Sequence, residues 1–155
     1  MKVTFSPHFI QATVLGTPRP QGSLERTRYG LKYYNQKELM EWRHEVMKEL
    51  VYNRPDGWDD TAAISVTPAF FFARPKSHYG SGKNAHKLKP SAPEHHTNRP
   101  DADKLIRGIG DAIQQAGLIR DDSQIVGWGN WNGSNKFWAD GDRLPGLHVQ
   151  IQALK

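Results

Sequence analysis

The chain has 155 residues, a formal net charge of +5 and a mean hydropathy of -0.72, so it is basic and carries much solvated loop around a modest core. It has no cysteine, which excludes disulfides, thiolate zinc sites and a cysteine nucleophile. No apolar run approaches the roughly 20 residues that span a bilayer and no signal-like segment opens the sequence, so a single cytoplasmic domain over residues 1–155 is expected.

Ile10 to Leu15 is a short apolar run and reads as the first strand. Gly16 to Gly22 (GTPRPQG) is too rich in proline and glycine for regular structure. Arg19, Arg26, Arg28 and Lys32 follow, interleaved with Tyr29, Tyr33 and Tyr34. Basic side chains pair with phosphates and tyrosines stack on bases. Alone, this stretch reads as a solvated loop anchored by its tyrosines; beside the second basic segment described below it reads as a nucleic-acid arm.

Asn35 with Glu38 resembles a capping box, and Leu39, Val46 and Leu50 with Met40, Met47 and Val51 form a helical stripe. A helix over Gln36 to Tyr52 is expected, with its methionines and Trp42 serving core or subunit contact. Asp56 to Asp60 is a turn. Ala62 to Phe72 alternates as a strand, with Pro68 marking a bulge or a free edge.

Ala73 to Pro100 shows no periodicity over about 28 residues, a length at which loops are usually functional or disordered. Between Ala73 and Arg99, Arg74, Lys76, Lys83, Lys87, Lys89 and Arg99 face one acidic residue, Glu94, a net +5 that equals the charge of the whole chain. His78, His86, His95 and His96 are in the same segment, and their irregular spacing favours phosphate contacts over a metal site. Gly80, Ser81 and Gly82 suggest that part of the loop is mobile and orders on its substrate.

This segment runs into NRPDADKLIRGIGDAIQQAGLIRDDSQIV, residues 98–126. Leu105, Ile109, Ala112 and Ala116 mark one face of a helix that Asp103 can cap and Gly117 can stop. Asp103, Arg107 and Gln114 fall on the other face, with Asp111 at its margin. Asp101, Asp103, Asp121 and Asp122 thus bracket one short helix. Carboxylates so close raise one another's pKa unless a cation neutralises them, and a few hard oxygen ligands select Mg²⁺ or Mn²⁺. A basic stretch leading into an acidic metal cluster points to a polyanion cleaved at a phosphate.

Gln124 to Trp131 reads as the next strand, Asn132 to Pro145 as a polar connection, and Leu147, Val149 and Ile151 as a half-buried final strand. The order indicates an α+β (mixed α/β) fold, a mixed sheet of about four strands packed by two main helices.

The stretch PDADKLIRGIGDAIQQAGLIRDDSQIV resembles the RusA family of Holliday junction resolvases, common in phages and prophages. An Asp-x-Asp alone is weak, but the helix, the glycine and Asp-Asp-x-Gln follow at matching distances. The resemblance implies a homodimeric, Mg²⁺-dependent endonuclease that nicks branched DNA. It assigns Asp101, Asp103 and Asp122 as catalytic carboxylates and metal ligands, and gives Asp121 an auxiliary place beside them. Asp111 matches an acidic residue within the family's helix. Two positions depart from the family pattern. Lys104 stands where an asparagine is common, and Arg107 stands where the best-known members have a functional lysine. Arg107 matches by charge and is less able to give up a proton. Lys104 joins Arg19, Arg26, Arg28, Lys76, Lys83, Lys87, Lys89 and Arg99 as candidate DNA contacts.

Other readings use the same residues. A flap or Y-branch nuclease would share the metal site. A phosphatase or sugar-nucleotide enzyme would use Asp-x-Asp, but without a role for the basic segment and with an apolar strand where this chain has HHTNRP. A non-catalytic DNA-binding module would have no use for carboxylates facing phosphate.

Overall fold

A computed structural model describes residues 6–22, 24–33 and 36–154. Tyr34 and Asn35, and with them the expected capping box, lie outside the described residues, as do the side chains of Lys32 and Tyr33. The elements in order are β1 (Phe9–Leu15), β2 (Leu24–Thr27), β3 (Gly30–Tyr33), α1 (Gln36–Tyr52), β4 (Ala63–Phe72), α2 (Ala102–Gln115), β5 (Ile125–Trp128), β6 (Lys136–Trp138) and β7 (Gly146–Leu154).

β4 is the centre of a mixed sheet. It pairs antiparallel with β7, which pairs antiparallel with β1, while β5 and then β6 run parallel along its other side. The α+β expectation holds, with a five-stranded sheet rather than about four. The extra strand is β6, inside the segment read as a polar connection, where Phe137 and Trp138 form the one short aromatic run. β2 and β3 form a separate antiparallel hairpin in the stretch read as a nucleic-acid arm.

Alternation along the strands sends Ile10, Ala12 and Val14 of β1, Ile64, Val66, Phe70 and Phe72 of β4, and Leu147, Val149 and Ile151 of β7 to one buried face. Leu39, Trp42, Val46 and Leu50 of α1 and Leu105, Ile109, Ala112 and Ile113 of α2 join them in one core. Burying each Val, Leu, Ile or Phe among them contributes on the order of 1.5–3 kcal/mol, which fixes both helices on one side of the sheet.

Pro68 lies in the central strand, not at a sheet edge. Its neighbours Val66 and Phe70 turn their backbone groups towards the β5/β6 side, accepting from Gly129 N–H at 2.7 Å and donating to Asn135 C=O at 2.7 Å. Pro68 therefore places its missing N–H in the break between β5 and β6, where Asn135 Nδ2 donates to its carbonyl at 2.9 Å. The irregularity in pairing falls instead between Ile64 and Ser65.

α2 ends as its sequence indicates. Gly117 has φ +77°, its N–H donates to Gln114 C=O at 3.0 Å, and Leu118 N–H donates to Ile113 C=O at 3.3 Å, a Schellman closure. Trp58 Nε1 donates to Leu118 C=O at 2.8 Å and ties that end to the turn before β4. At the other end, the cap position is Asp101 rather than the expected Asp103, which lies within the first turn.

Candidate active site

Asp101 is at the N-cap of α2 with extended backbone, yet its carboxylate makes no capping hydrogen bond. The side chain is 57% exposed, with Lys104 Nζ at 3.9 Å. Asp103, one turn in, is 68% exposed and has the Arg107 guanidinium at 3.7 Å.

Asp121 and Asp122 follow the far end of α2 and open a turn of 3₁₀-helix over Asp122–Gln124. Asp121 caps it, Oδ2 accepting from Ser123 N–H at 2.9 Å, and this hydrogen bonding to Ser123 lowers the Asp121 pKa. Gln124 fixes the turn. Its Oε1 accepts from the backbone N–H groups of Arg120 (2.8 Å) and Asp121 (3.0 Å), while Nε2 donates to the carbonyls of Asp60 and Ala62, both at 2.9 Å. The Asp-Asp-x-Gln spacing thus locks the acidic turn against the start of β4.

Asp122 is free of that capping role. With Arg107, Asp111, Gln21, Ile106, Gly110, Ile125 and Trp128 it lines a cleft of about 350 Å³ along the polar face of α2. Arg107 therefore connects the two acidic groups, pairing with Asp103 and facing the cleft that Asp122 borders. Asp111 points to Arg43 on α1 at 3.3 Å. Gln21 brings in the segment before the hairpin, its backbone N–H donating to Lys104 C=O at 3.0 Å.

Residues 73–100 follow a defined path. Gly80 N–H donates to Lys87 C=O at 2.9 Å and Lys89 N–H to His78 C=O at 2.9 Å, pinching off a loop around Lys83. Lys76, Lys83, Lys87, Lys89 and Arg99 are exposed and form no ion pair with a described residue. Arg74 differs: it binds Asp140 through two hydrogen bonds of 2.7 and 3.1 Å and Pro93 C=O at 2.7 Å, and its guanidinium lies 5.2 Å from the Trp138 ring. Of the four histidines expected to make phosphate contacts, His96 is turned into the core and His78 is half-buried. His96 is buried, stacked on Trp138 at 4.1 Å, and His78 meets the same ring edge-on at 5.0 Å. Burial lowers the His96 pKa, with the nearby Lys136 charge adding to it.

The N-terminal cations are less concentrated than the sequence suggests. Arg26 and Arg28 are exposed on the hairpin, while Arg19 shares a cleft with Glu38, Glu41 and Glu45 of α1. Sequence reasoning also passed over Lys136. Its Nζ donates to the carbonyls of Asn98 (2.7 Å) and Pro100 (2.9 Å), just before Asp101. Burial lowers the Lys136 pKa, and the charge of Asp101 partly opposes this. A lone lysine at the start of a three-residue strand gives no sequence signal.

A profile of the family described as Endodeoxyribonuclease RusA matches residues 13–152, from β1 to β7 and so across every part of this site. The chain belongs to the RusA family. It is accordingly an endodeoxyribonuclease, in a family of Holliday junction enzymes that generally depend on a divalent metal. No curated protein matches the chain. Among the described residues no helix is long and apolar enough to cross a membrane.

The RusA site suits a hard divalent cation in its donor chemistry: anionic oxygens, exposed, and in the case of Asp101 uncommitted to its own helix. Among the described residues no three Asp, Glu or His side chains are already grouped as a metal cage. Asp101 and Asp103 turn to Lys104 and Arg107 in long, exposed ion pairs, which hold them only weakly. Asp121 suits the role less well, since Ser123 holds one of its oxygens.

Proposed function

We propose that this chain resolves four-way DNA junctions as a homodimer, with Asp101, Asp103 and Asp122 holding Mg²⁺, or Mn²⁺ in its place, and Asp121 assisting from the neighbouring turn. The observation that supports this most is the position of Arg107, 3.7 Å from Asp103 and lining the cleft that Asp122 borders. That arrangement puts a fixed cation between Asp103 and the cleft that Asp122 borders, beside where a scissile phosphate would lie.

A bound divalent ion would supply an activated water and neutralise charge on the phosphate. Arg107 is permanently charged, so its part is electrostatic stabilisation rather than proton donation. Lys104 adds charge beside Asp101. Lys76, Lys83, Lys87, Lys89 and Arg99 draw the phosphate backbone towards the cleft, with Arg26 and Arg28 as outlying contacts. Two copies would present two such sites to a two-fold symmetric junction. With chromosomal or phage DNA as substrate, the place of action is the cytoplasm of a bacterial cell.

The test is Mg²⁺-dependent cleavage of an end-labelled four-way junction beside Y, flap and linear duplexes, with wild type and Asp101→Asn. Paired symmetric nicks in the junction, lost in the variant while DNA binding persists, are expected. Preferential cutting of flaps or Y forms would reassign the substrate to branch processing. Wild-type cleavage by Asp101→Asn would remove Asp101 from the site.

A further inference from the structure

We propose that Lys136 is a positioning residue for the metal site, with its ammonium group holding the turn that delivers Asp101. This rests on the reading of Asp101 as a metal ligand.

The carboxylate of Asp101 makes no capping hydrogen bond, so its place is set by the backbone that carries it. Pro100, the residue before it, has no N–H with which to anchor that backbone. Lys136 supplies the anchor, Nζ reaching Asn98 C=O at 2.7 Å and Pro100 C=O at 2.9 Å, on either side of Arg99. The lysine itself stands on a firm base. Phe70 pairs with Lys136 and Phe72 with Trp138 in the β4–β6 ladder, and Phe70 N–H donates to Asn135 C=O at 2.7 Å. Trp138, on the same face of β6, stacks on His96 at 4.1 Å. β6 thus grips the incoming chain first at His96 and then at Asn98 and Pro100.

An ammonium has three donors, and two carbonyls use two of them. Lys136 is also half-buried, and its bond to Pro100 C=O, the one next to Asp101, is part-buried, whereas that to Asn98 is exposed. Residues that orient metal ligands from behind typically change metal affinity by about 10–100-fold when removed, because a carboxylate displaced by a fraction of an ångström loses its ion. Lys136 has the geometry of such a support.

The experiment compares wild type, Lys136→Met, Lys136→Gln and Asp101→Asn by Mn²⁺ titration with EPR detection, by the Mg²⁺ dependence of DNA cleavage, and by metal-free thermal melting. Lys136→Met should bind Mn²⁺ about tenfold more weakly and need correspondingly more Mg²⁺ for half-maximal cleavage, with kcat recovered at saturating metal. Lys136→Gln keeps a donor for one carbonyl and should fall between it and wild type. Asp101→Asn should lose Mn²⁺ binding without recovery. Wild-type Mn²⁺ affinity in Lys136→Met, alongside its loss in Asp101→Asn, would overturn the role of Lys136 while keeping the metal site. Undiminished Mn²⁺ binding in Asp101→Asn would remove the metal reading, and this inference with it. Failure of both lysine variants to fold would make Lys136 a support of the fold rather than of the site and would equally overturn the proposal.

Discussion

The carboxylate of Asp111 lies 3.3 Å from the guanidinium of Arg43, whose side chain is only 8% exposed, against 37% for Asp111. This contact ties α2 to α1, and Gln21 Oε1 accepts from the same Arg43 nitrogen at 3.1 Å. Asp111 therefore acts as the counter-ion of a buried cation rather than as a fourth metal ligand. Asp111→Ala should lower stability by about 1–3 kcal/mol, below the usual cost of breaking a buried pair because Asp111 is partly solvated. Urea denaturation measures this, and adding Arg43→Met should recover part of the loss. Unchanged stability with abolished cleavage would instead place Asp111 in the catalytic group.

Trp138 joins β6 to the basic loop. His96 stacks on it, His78 meets its edge and Arg74 lies over its ring. Trp138→Ala should cost roughly 3–5 kcal/mol, as large aromatic truncations in cores do. It should also speed proteolysis within residues 73–100 more than elsewhere. Trp138→Phe keeps a stacking face and should show a smaller effect in both measurements. Equal cleavage of the loop in all three proteins would mean that the joint does not hold it.

Stability should fall as the solution is acidified through the histidine range. His96 is buried against Trp138 and near Lys136 and His78, so its folded pKa is lowered from the ordinary value of about 6.5. Between the lowered folded value and 6.5 the unfolded chain binds the proton more readily, so stability rises with pH there. The contribution is thus complete above about 6.5 and lost as pH falls below it. His96→Phe, which keeps an aromatic ring, should flatten the decline in melting temperature between neutral and mildly acid pH. Some slope should remain, because burial also lowers the His148 pKa. An identical slope in wild type and His96→Phe would assign the decline to other groups.

The residues show why some of this was readable in advance. Helix α1 has the bounds its stripe predicts, and α2 follows from Leu105, Ile109, Ala112 and the Gly117 stop, because burial and a positive φ leave local signatures. β6 left none: three residues pair with β4 only because Asn135 and the tight turn at Asn132 (φ +50°) and Gly133 (φ +85°) bring them there. That Asn-Gly pair is itself a turn signal, but it does not say which strand the chain pairs with after the turn. Around the candidate site, the bracketing of α2 by acidic residues is visible in the spacing alone. The division of labour among cations is not, since it depends on tertiary partners. Arg74 and Lys83 look alike in sequence, yet one is locked to Asp140 and the other is exposed.

That difference between cations is measurable. Each phosphate contact releases about 0.9 of a counterion from duplex DNA, so a cation that touches the backbone appears in the salt dependence of binding. Single Lys83→Ala, Lys87→Ala and Lys89→Ala variants, assayed without divalent metal, should each weaken junction binding and reduce the log–log salt slope by up to about one. Their melting temperatures should match wild type, because these lysines are exposed and form no ion pair with a described residue. Arg74→Ala should do the reverse, lowering stability through the loss of Asp140, Pro93 and Trp138 contacts while leaving the slope unchanged in protein that remains folded. A reduced slope in Arg74→Ala, or an unchanged one in all three lysine variants, would place the DNA path elsewhere, with the exposed Arg26 and Arg28 on the hairpin as the next positions to substitute.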